Sequence, residues 1–278
     1  MIAAGHIYKT RPTLYNRAGM NSIPQPEHSA IRLVVLDVDG VLSKGETAPF
    51  DHAVLATLCD LNRSARLGHE APHVTLCTGR PSAYVDAVMQ AIDGSMPAVF
   101  EGGAGIYEPE GYRFYPVPGL GDLNSIRTAH EVFRRQEETT GDIMVQPGKD
   151  YTISLFPTVA VRLPELAEYA RTLLANHLGE AAGALEFSYS ASCLNIQPAG
   201  CDKGTGLRYI SSRTGISLNS MLGVGDSEVD LPFLALTTHS AAPANSTADV
   251  RELVEYVSPH PEAAGLLDIL RRYGILPE

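Results

Sequence analysis

The stretch Ile31-Arg32-Leu33-Val34-Val35-Leu36-Asp37-Val38-Asp39-Gly40 decides how the rest of the chain is read. Up to Leu36 it is a nearly continuous β-branched and aliphatic run, the pattern of a central parallel strand buried on both faces. The run ends in two carboxylates and a glycine. Charged residues at the carboxyl end of a central strand stand where α/β folds place ligands. On extended backbone residues i and i+2 point the same way, so Asp37 and Asp39 can share one site. Two carboxylates so close repel each other unless a cation or a proton relieves them. Oxygen ligands suit a hard divalent cation, most naturally Mg²⁺. Taken alone, the same residues read equally as a solvated strand-to-loop turn, where Asp and Gly are common.

Outward from that strand, apolar spacing alternates between helix and strand. Residues 53–67 carry a helical stripe, 73–77 form a second short buried strand, 81–92 a second helix and 97–100 a third strand. Residues 105–107 and 112–115 flank a turn rich in Gly, Pro and Glu and read as a hairpin. Strands alternating with helices predict a doubly wound parallel α/β sheet. The middle of the chain has another rhythm. A helix over 123–138 and strands over 142–145 and 151–156 are followed by a helix over 163–177 and strands over 185–190 and 192–197. This αββαββ order predicts a smaller α+β layer with one helical face. After it the alternation resumes, with a helix over 204–213, a strand over 221–225 and helices near 231–236 and 262–273. The expected organisation is an extension over 1–30, a core split between 31–117 and 197–278, and an insertion over 118–196.

Three further pieces stand at strand ends or helix starts. Thr78-Gly79-Arg80-Pro81 follows the second strand. A hydroxyl and a glycine amide at a helix start make a small anion cradle, and the same residues serve as an ordinary helix cap. Lys203 opens a helix, where its charge mildly opposes the helix dipole; taken alone it reads as an exposed surface lysine. Gly225-Asp226-Ser227-Glu228-Val229-Asp230 follows the strand that begins at Met221. Ser227 with Asp230 reads as a variant capping box. Asp226 sits at a strand end as Asp37 does.

With these pieces in the order DxD, TG, K and GDxxxD, the chain from Ile31 onward resembles the haloacid dehalogenase superfamily. The resemblance implies a Rossmann-like core and assigns roles that spacing does not. Asp37 would be the nucleophile that forms an aspartyl-phosphate, and Asp39 the general acid and then the base that activates water. The Asp37 carboxylate, the Asp39 main-chain carbonyl and Asp226 would hold Mg²⁺. Thr78, the Gly79 amide and Lys203 would hold the phosphoryl oxygens, with Asp230 steadying Lys203 or the metal's water shell. A carboxyl at position 39 fits phosphatases and phosphomutases, which must protonate a poor alkoxide leaving group. Asp37 and Thr78 are 41 residues apart, too close for a cap domain, whereas Thr78 and Lys203 are 125 apart. The insertion then resembles the short C2B cap of archaeal-type phosphoglycolate phosphatases, sucrose-phosphate phosphatases and phosphomannomutases. The same branch holds the Cof-type sugar phosphatases, whose larger cap adds a helix–strand insert for which this chain has no room. The chain departs from many relatives at Glu101-Gly102-Gly103-Ala104, where they carry Asn-Gly, at Val229, where they carry Asn, and at Phe233, where they carry Met.

The function this implies is Mg²⁺-dependent hydrolysis of a small phosphorylated metabolite, a sugar phosphate or a phosphoglycolate-like compound. The alternatives are a phosphomutase or phosphotransferase using the same intermediate, and a non-catalytic binding module of the same fold. Candidate readers of the leaving group are Arg134, Arg135, Lys149, Arg162, Tyr189, Ser190 and Asn195.

Composition narrows the partners. Of 278 residues, 44% are hydrophobic and 19% charged, which excludes wholesale disorder. A net charge of −11 makes duplex nucleic acid and anionic membrane poor partners. No apolar run approaches the ~18–20 residues of a membrane-spanning helix. Residues 1–30 lack an apolar signal region, carry Lys9, Arg11 and Arg17, and read as a poorly ordered extension, with a transit peptide as the weaker alternative. Cys59, Cys77, Cys193 and Cys201 form no CxxC pair and read as free thiols. A cytoplasmic enzyme, monomeric or homodimeric, is expected.

Overall fold

The computed structural model describes residues 31–121, 123–190 and 192–277. The expected extension over 1–30 lies outside the described residues. The chain opens with β1 (Leu33–Leu36), α1 (His52–Arg66), β2 (His73–Leu76) and α2 (Ser82–Ala91). A small antiparallel sheet follows, of β3 (Ala98–Phe100), β4 (Gly105–Glu108) and β5 (Arg113–Pro116). Next come α3 (Leu123–Thr140), β6 (Ile143–Val145), β7 (Ile153–Pro157), α4 (Leu163–Leu178), β8 (Leu185–Tyr189) and β9 (Leu194–Pro198). The chain ends with α5 (Lys203–Thr214), β10 (Met221–Val224), α6 (Leu231–Leu234), β11 (His239–Ala242), α7 (Ala248–Leu253), β12 (Tyr256–Val257) and α8 (Glu262–Arg272).

The main sheet is parallel, in the order β12-β11-β10-β1-β2. All four residues of β1 are fully buried, as its unbroken aliphatic run requires. Alternate residues serve opposite faces. Val34 and Leu36 pack with Leu58 of α1, Val85 of α2 and Leu266 of α8. Leu33 and Val35 pack with Leu207 of α5 and Phe233 of α6. With helices on both faces, the architecture is the doubly wound α/β class expected. Strand order reverses at β1: β2 lies on one side and β10 on the other, so their carboxyl ends open onto a switch-point crevice.

Residues 123–198 form a second layer with its own core. Its antiparallel sheet runs β6-β7-β9-β8 and is packed against α3 and α4 through Ile126, Phe133, Leu166, Leu174, Leu155 and Ile196. The third strand expected in the main alternation is instead the edge of the small sheet. β3 meets the parallel sheet only through a bridge between Val99 and Cys77. All four cysteines are free. Among the described residues no helix is long and apolar enough to cross a membrane.

The turn after β3 is conformationally special. Glu101, Gly102 and Gly103 all have positive φ, at 49°, 68° and 113°. A Cβ on Gly103 would stand 1.9 Å from the Asp202 carbonyl oxygen, so only glycine lets this turn lie against the start of α5. Gly103→Ala is expected to lower stability by about 2–3 kcal/mol, read as a fall in the urea midpoint at constant m.

Candidate active site

Each of the proposed acids is placed by the end of a parallel strand. Asp37 follows β1, and its N–H continues the ladder to Val224 O of β10 at 2.9 Å. Beyond it the chain folds back tightly, with Val38 O accepting from Leu42 N (2.8 Å) and Ser43 N (3.0 Å). Gly40 has φ 80°, and a Cβ there would stand 2.0 Å from Asp226 Oδ2. The glycine of the DxDG sequence therefore lets the β1 and β10 loops meet. Asn245 closes this contact from the loop after β11, donating to Gly40 O (2.9 Å) and Asp226 Oδ2 (3.3 Å).

Lys203 is the first residue of α5, and the Asp202 side chain caps that helix by accepting from Thr205 N at 2.7 Å. The lysine is 2% exposed. Its Nζ lies 2.9 Å from Asp37 Oδ1 and 2.5 Å from Asp230 Oδ1. Burial opposes its charge, but Asp230 and Asp37 outweigh it and hold the ammonium above the ordinary lysine range. Asp230 Oδ2 faces the other way and accepts from Asp226 N (2.9 Å), Ser227 N (3.0 Å) and Ser227 Oγ (3.3 Å). The capping box read from the sequence is present, and its carboxylate does double duty as the partner of Lys203.

Carboxylate oxygens of Asp37, Asp226 and Asp230 lie within 4.8 Å of one another. Burial, then the Asp230 charge, pushes the Asp37 carboxyl well above its ordinary value, with Lys203 pulling it back. The same two causes push Asp226 up to about 7. One ammonium does not balance three acids. This all-oxygen donor set, with repulsion left over, fits a hard divalent cation.

Asp39 does not join that group. Its carboxylate accepts from Arg80 Nε at 2.7 Å and Nη2 at 2.5 Å, and the guanidinium lies 4.7 Å from the centre of the Tyr84 ring. Sequence reading took Arg80 only as part of the TGRP turn. Its signal was there, as the one cation in that motif at a strand end. Gly79 borders the cavity above Asp37, as do Asp39, Lys203 and Asp226. Thr78 stands behind it. It is fully buried, and its Oγ1 accepts from Arg80 N at 3.3 Å.

The cavity has a volume of 610 Å³, with a neighbouring lobe of 390 Å³, a size for a small ligand and not a polymer. Its far wall comes from the second layer, through Lys149, Tyr189, Ser190 and Asn195. Arg134, Arg135 and Arg162, also considered as readers, are exposed. Glu101 was read only as a departure from relatives. It is 1% exposed, and it accepts from Asp150 N (2.9 Å), Tyr151 N (2.8 Å), Thr152 N (2.7 Å) and Thr152 Oγ1 (3.1 Å). Burial raises its carboxyl, and the amides hold it back. A second contact across the cleft joins Ser192 Oγ to Glu46 Oε1 at 2.8 Å.

A family model described as haloacid dehalogenase-like hydrolase matches residues 125–270. Among curated proteins, the chain is similar to a phosphoglycolate phosphatase of Nitrosopumilus maritimus, 24% identical over 86% of this chain and 94% of that one. It is also similar to one of Halorubrum lacusprofundi, 27% identical over 81% and 89%. A phosphoglycolate phosphatase of Methanospirillum hungatei is 34% identical over 80 residues, 29% of this chain and 34% of that protein, so this match spans about a third of the relative. Among solved structures, protein 0175 of Thermoplasma acidophilum shares the fold, with TM-score 0.68 and 18% identity over 88% of this chain and 99% of that one. The sucrose-phosphatase of Synechocystis, solved with sucrose and phosphate, shares it with TM-score 0.60 and 15% identity over 88% and 98%.

Asp230→Asn would set an amide against the Lys203 ammonium or against the backbone donors. Breaking this buried pair is expected to cost about 3 kcal/mol in urea unfolding. An unchanged midpoint would mean that Asp37 alone suffices to hold Lys203.

Proposed function

The chain belongs to the haloacid dehalogenase-like hydrolases, and from that premise we propose that it is a Mg²⁺-dependent phosphatase acting on a small phosphorylated metabolite, a sugar phosphate or a phosphoglycolate-like compound. The observation that carries this reading is the buried Lys203 ammonium 2.9 Å from Asp37 Oδ1, under a cavity of small-molecule size. The phosphoglycolate phosphatase activity of the curated relatives supports it.

In this reading an Asp37 oxygen attacks phosphorus and forms an aspartyl-phosphate, while the leaving oxygen takes a proton from Asp39. Water then gives a proton to Asp39 and attacks the phosphoryl group, releasing phosphate and the Asp37 carboxylate. The covalent route divides one difficult displacement into two easier ones. Lys203 has three N–H donors and spends two on Asp37 and Asp230, which leaves one for a phosphoryl oxygen. The Gly79 amide supplies another donor, with Thr78 behind it. Both Asp39 oxygens accept from Arg80, so passing a proton requires that contact to open. An arriving phosphoryl group competes for the same guanidinium. Asp37 and Asp226, with the Asp39 main-chain carbonyl and with Asp230 behind, would hold Mg²⁺, which supplies positive charge where a carboxylate meets a dianionic ester. Residues 118–196 would act as the cap that shuts over the site and excludes water.

Phosphate release from p-nitrophenyl phosphate and a panel of monoesters, run with Mg²⁺ and with EDTA, tests the reading. Turnover is expected with Mg²⁺ only, and Asp37→Asn is expected to lower it by about 10³-fold or more. Undiminished turnover in that variant would remove Asp37 as nucleophile. Label moving between sugar positions without phosphate release would favour the mutase.

The metal makes its own pH prediction. Without a cation the folded protein keeps a proton on Asp226 up to about pH 7, whereas the unfolded chain loses it near the ordinary aspartate value of 3.8. The folded state therefore binds more protons across that window, and its stability falls as pH rises through it. Mg²⁺ competes with that proton. The rise in Tm on adding Mg²⁺ is expected to be larger at pH 8 than at pH 5, and an equal rise at both would argue against binding at Asp226.

A further inference from the structure

One buried cation in the cleft is not used by the chemistry above. Lys149 stands in the turn between β6 and β7 and is 7% exposed. Its Nζ donates to Ser154 Oγ at 2.6 Å, and Ser154 Oγ donates onward to Asn195 Oδ1 at 2.6 Å. The direction of this relay is fixed. A carbonyl oxygen only accepts, so the serine proton is spent on Asn195, and the serine oxygen is left to accept from lysine. One of three ammonium N–H donors is thereby used.

Of the other cations lining this cavity, Lys44 is exposed to solvent, and the two more enclosed ones have acids. Lys203 pairs with Asp37 and Asp230, and Arg80 pairs with Asp39. Among the described residues no carboxylate forms an ion pair with Lys149. Glu101 is the acid that most favours its charge, but the Glu101 oxygens are taken by the amides of Asp150, Tyr151 and Thr152. Burial pulls the Lys149 ammonium below the ordinary lysine range. A buried ammonium with donors unspent is costly unless an anion meets it.

Placement makes that anion a part of the substrate. Lys149 and Asn195 line the same cavity as Asp37, Asp39 and Lys203. The turn that carries Lys149 is pinned on both sides. Glu101 holds the three amides that follow it, and a Cβ on Gly148 would stand 3.6 Å from Pro81 Cβ. The Asn195 oxygen is already occupied, so its amide nitrogen is the end left to donate.

We propose that Lys149, with the Asn195 amide beside it, determines specificity by binding a carboxylate on the leaving side of the phosphate ester. The inference rests on the phosphatase reading and narrows it to small phosphorylated hydroxy acids over neutral sugar phosphates. A carboxylate satisfies the ammonium, whereas a hydroxyl leaves its charge unbalanced.

The test compares 2-phosphoglycolate with its neutral amide, which differs little in size and carries one charge less. Both are assayed with Mg²⁺ on the full chain, beside p-nitrophenyl phosphate. The wild-type protein is expected to show kcat/KM about tenfold or more higher for the acid than for the amide. Lys149→Met removes the ammonium, and Asn195→Asp sets a carboxylate beside it without changing the size of the side chain. Each is expected to bring the acid-to-amide ratio toward one, with Lys149→Arg retaining part of the preference. The second variant keeps the test open if the first fails to fold. Hydrolysis of the aryl ester with a wild-type ratio near one overturns the inference alone. So does aryl-ester hydrolysis with neither glycolate ester cleaved, or a ratio that survives both substitutions. Absence of phosphate release from all three esters defeats the phosphatase reading, and the inference falls with it.

Discussion

The ammonium of Lys203 is buried between two carboxylates, Asp37 Oδ1 at 2.9 Å and Asp230 Oδ1 at 2.5 Å, and the site is arranged around that sharing. None of the three groups could be buried by itself. Removing one partner from a buried pair leaves an uncompensated charge, at a cost of several kcal/mol. The groups also come from separate pieces of chain: the end of β1, the start of α5 and the turn after β10. They meet because β10 pairs directly with β1 in register, so both strands end at the same level. The strand order is thus a condition for burying the charges. The triad is also unbalanced, since Asp226 adds another carboxylate within 4.8 Å. An imbalance of this kind, among oxygen donors, is what distinguishes a cation site from a structural ion pair.

The turn 101–103 links that triad to the second layer. Gly103 lies against the Asp202 carbonyl, and Asp202 caps the helix that begins with Lys203. Gly102 N donates to Thr78 O at 2.9 Å, and Glu101 N donates to Arg80 O at 3.0 Å. The Glu101 side chain crosses to the amides of residues 150–152. Three successive residues with positive φ therefore touch the lysine helix, the TGR loop and the turn that carries Lys149. Backbone strain of this sort persists where the surroundings over-determine it. Here the determinants are hydrogen bonds that reach both walls of the cavity.

How much of this was legible depended on whether the signal was local. Asp37, Lys203 and Asp226 stood out together because each is a charge at a strand end or helix start, and their joint order is more specific than any one of them. The buried strand of residues 33–36 and the αββαββ order were legible from apolar spacing. The segment β11-α7-β12 was not. β11 reads His-Ser-Ala-Ala, and β12 has two residues, so neighbouring strands and not propensity make them extended. The third strand was seen but assigned to the wrong sheet, because pairing partners are not written in a three-residue run. The grip of Arg80 on Asp39 joins residues 41 apart and depends on how two loops face each other. Lys149 was one of seven candidates; Arg134 and Arg135, beside Glu137 and Glu138, read better as a solvated helix face, but nothing in the sequence singled Lys149 out from the rest. Burial separates it from Arg134, Arg135 and Arg162, which are exposed.

The net charge of −11 must also be set against the local arrangement. Charges on an exposed surface act over a Debye length of about 8 Å at physiological salt, so most of the acidic residues are screened from a ligand already inside the cleft. Buried charges lining the cleft are screened less, so the nearest groups dominate. Those groups fall into two zones. Around Asp37 the acids outnumber the cations, which suits a bound divalent ion followed by a phosphoryl group. Lys149, across the same cavity, has no ion-paired acid among the described residues. A substrate with phosphate at one end and a carboxylate at the other would meet an appropriate charge at each end. A neutral sugar would leave the second zone unbalanced, so an acidic protein can select a ligand that is anionic at both ends by where its few buried cations stand.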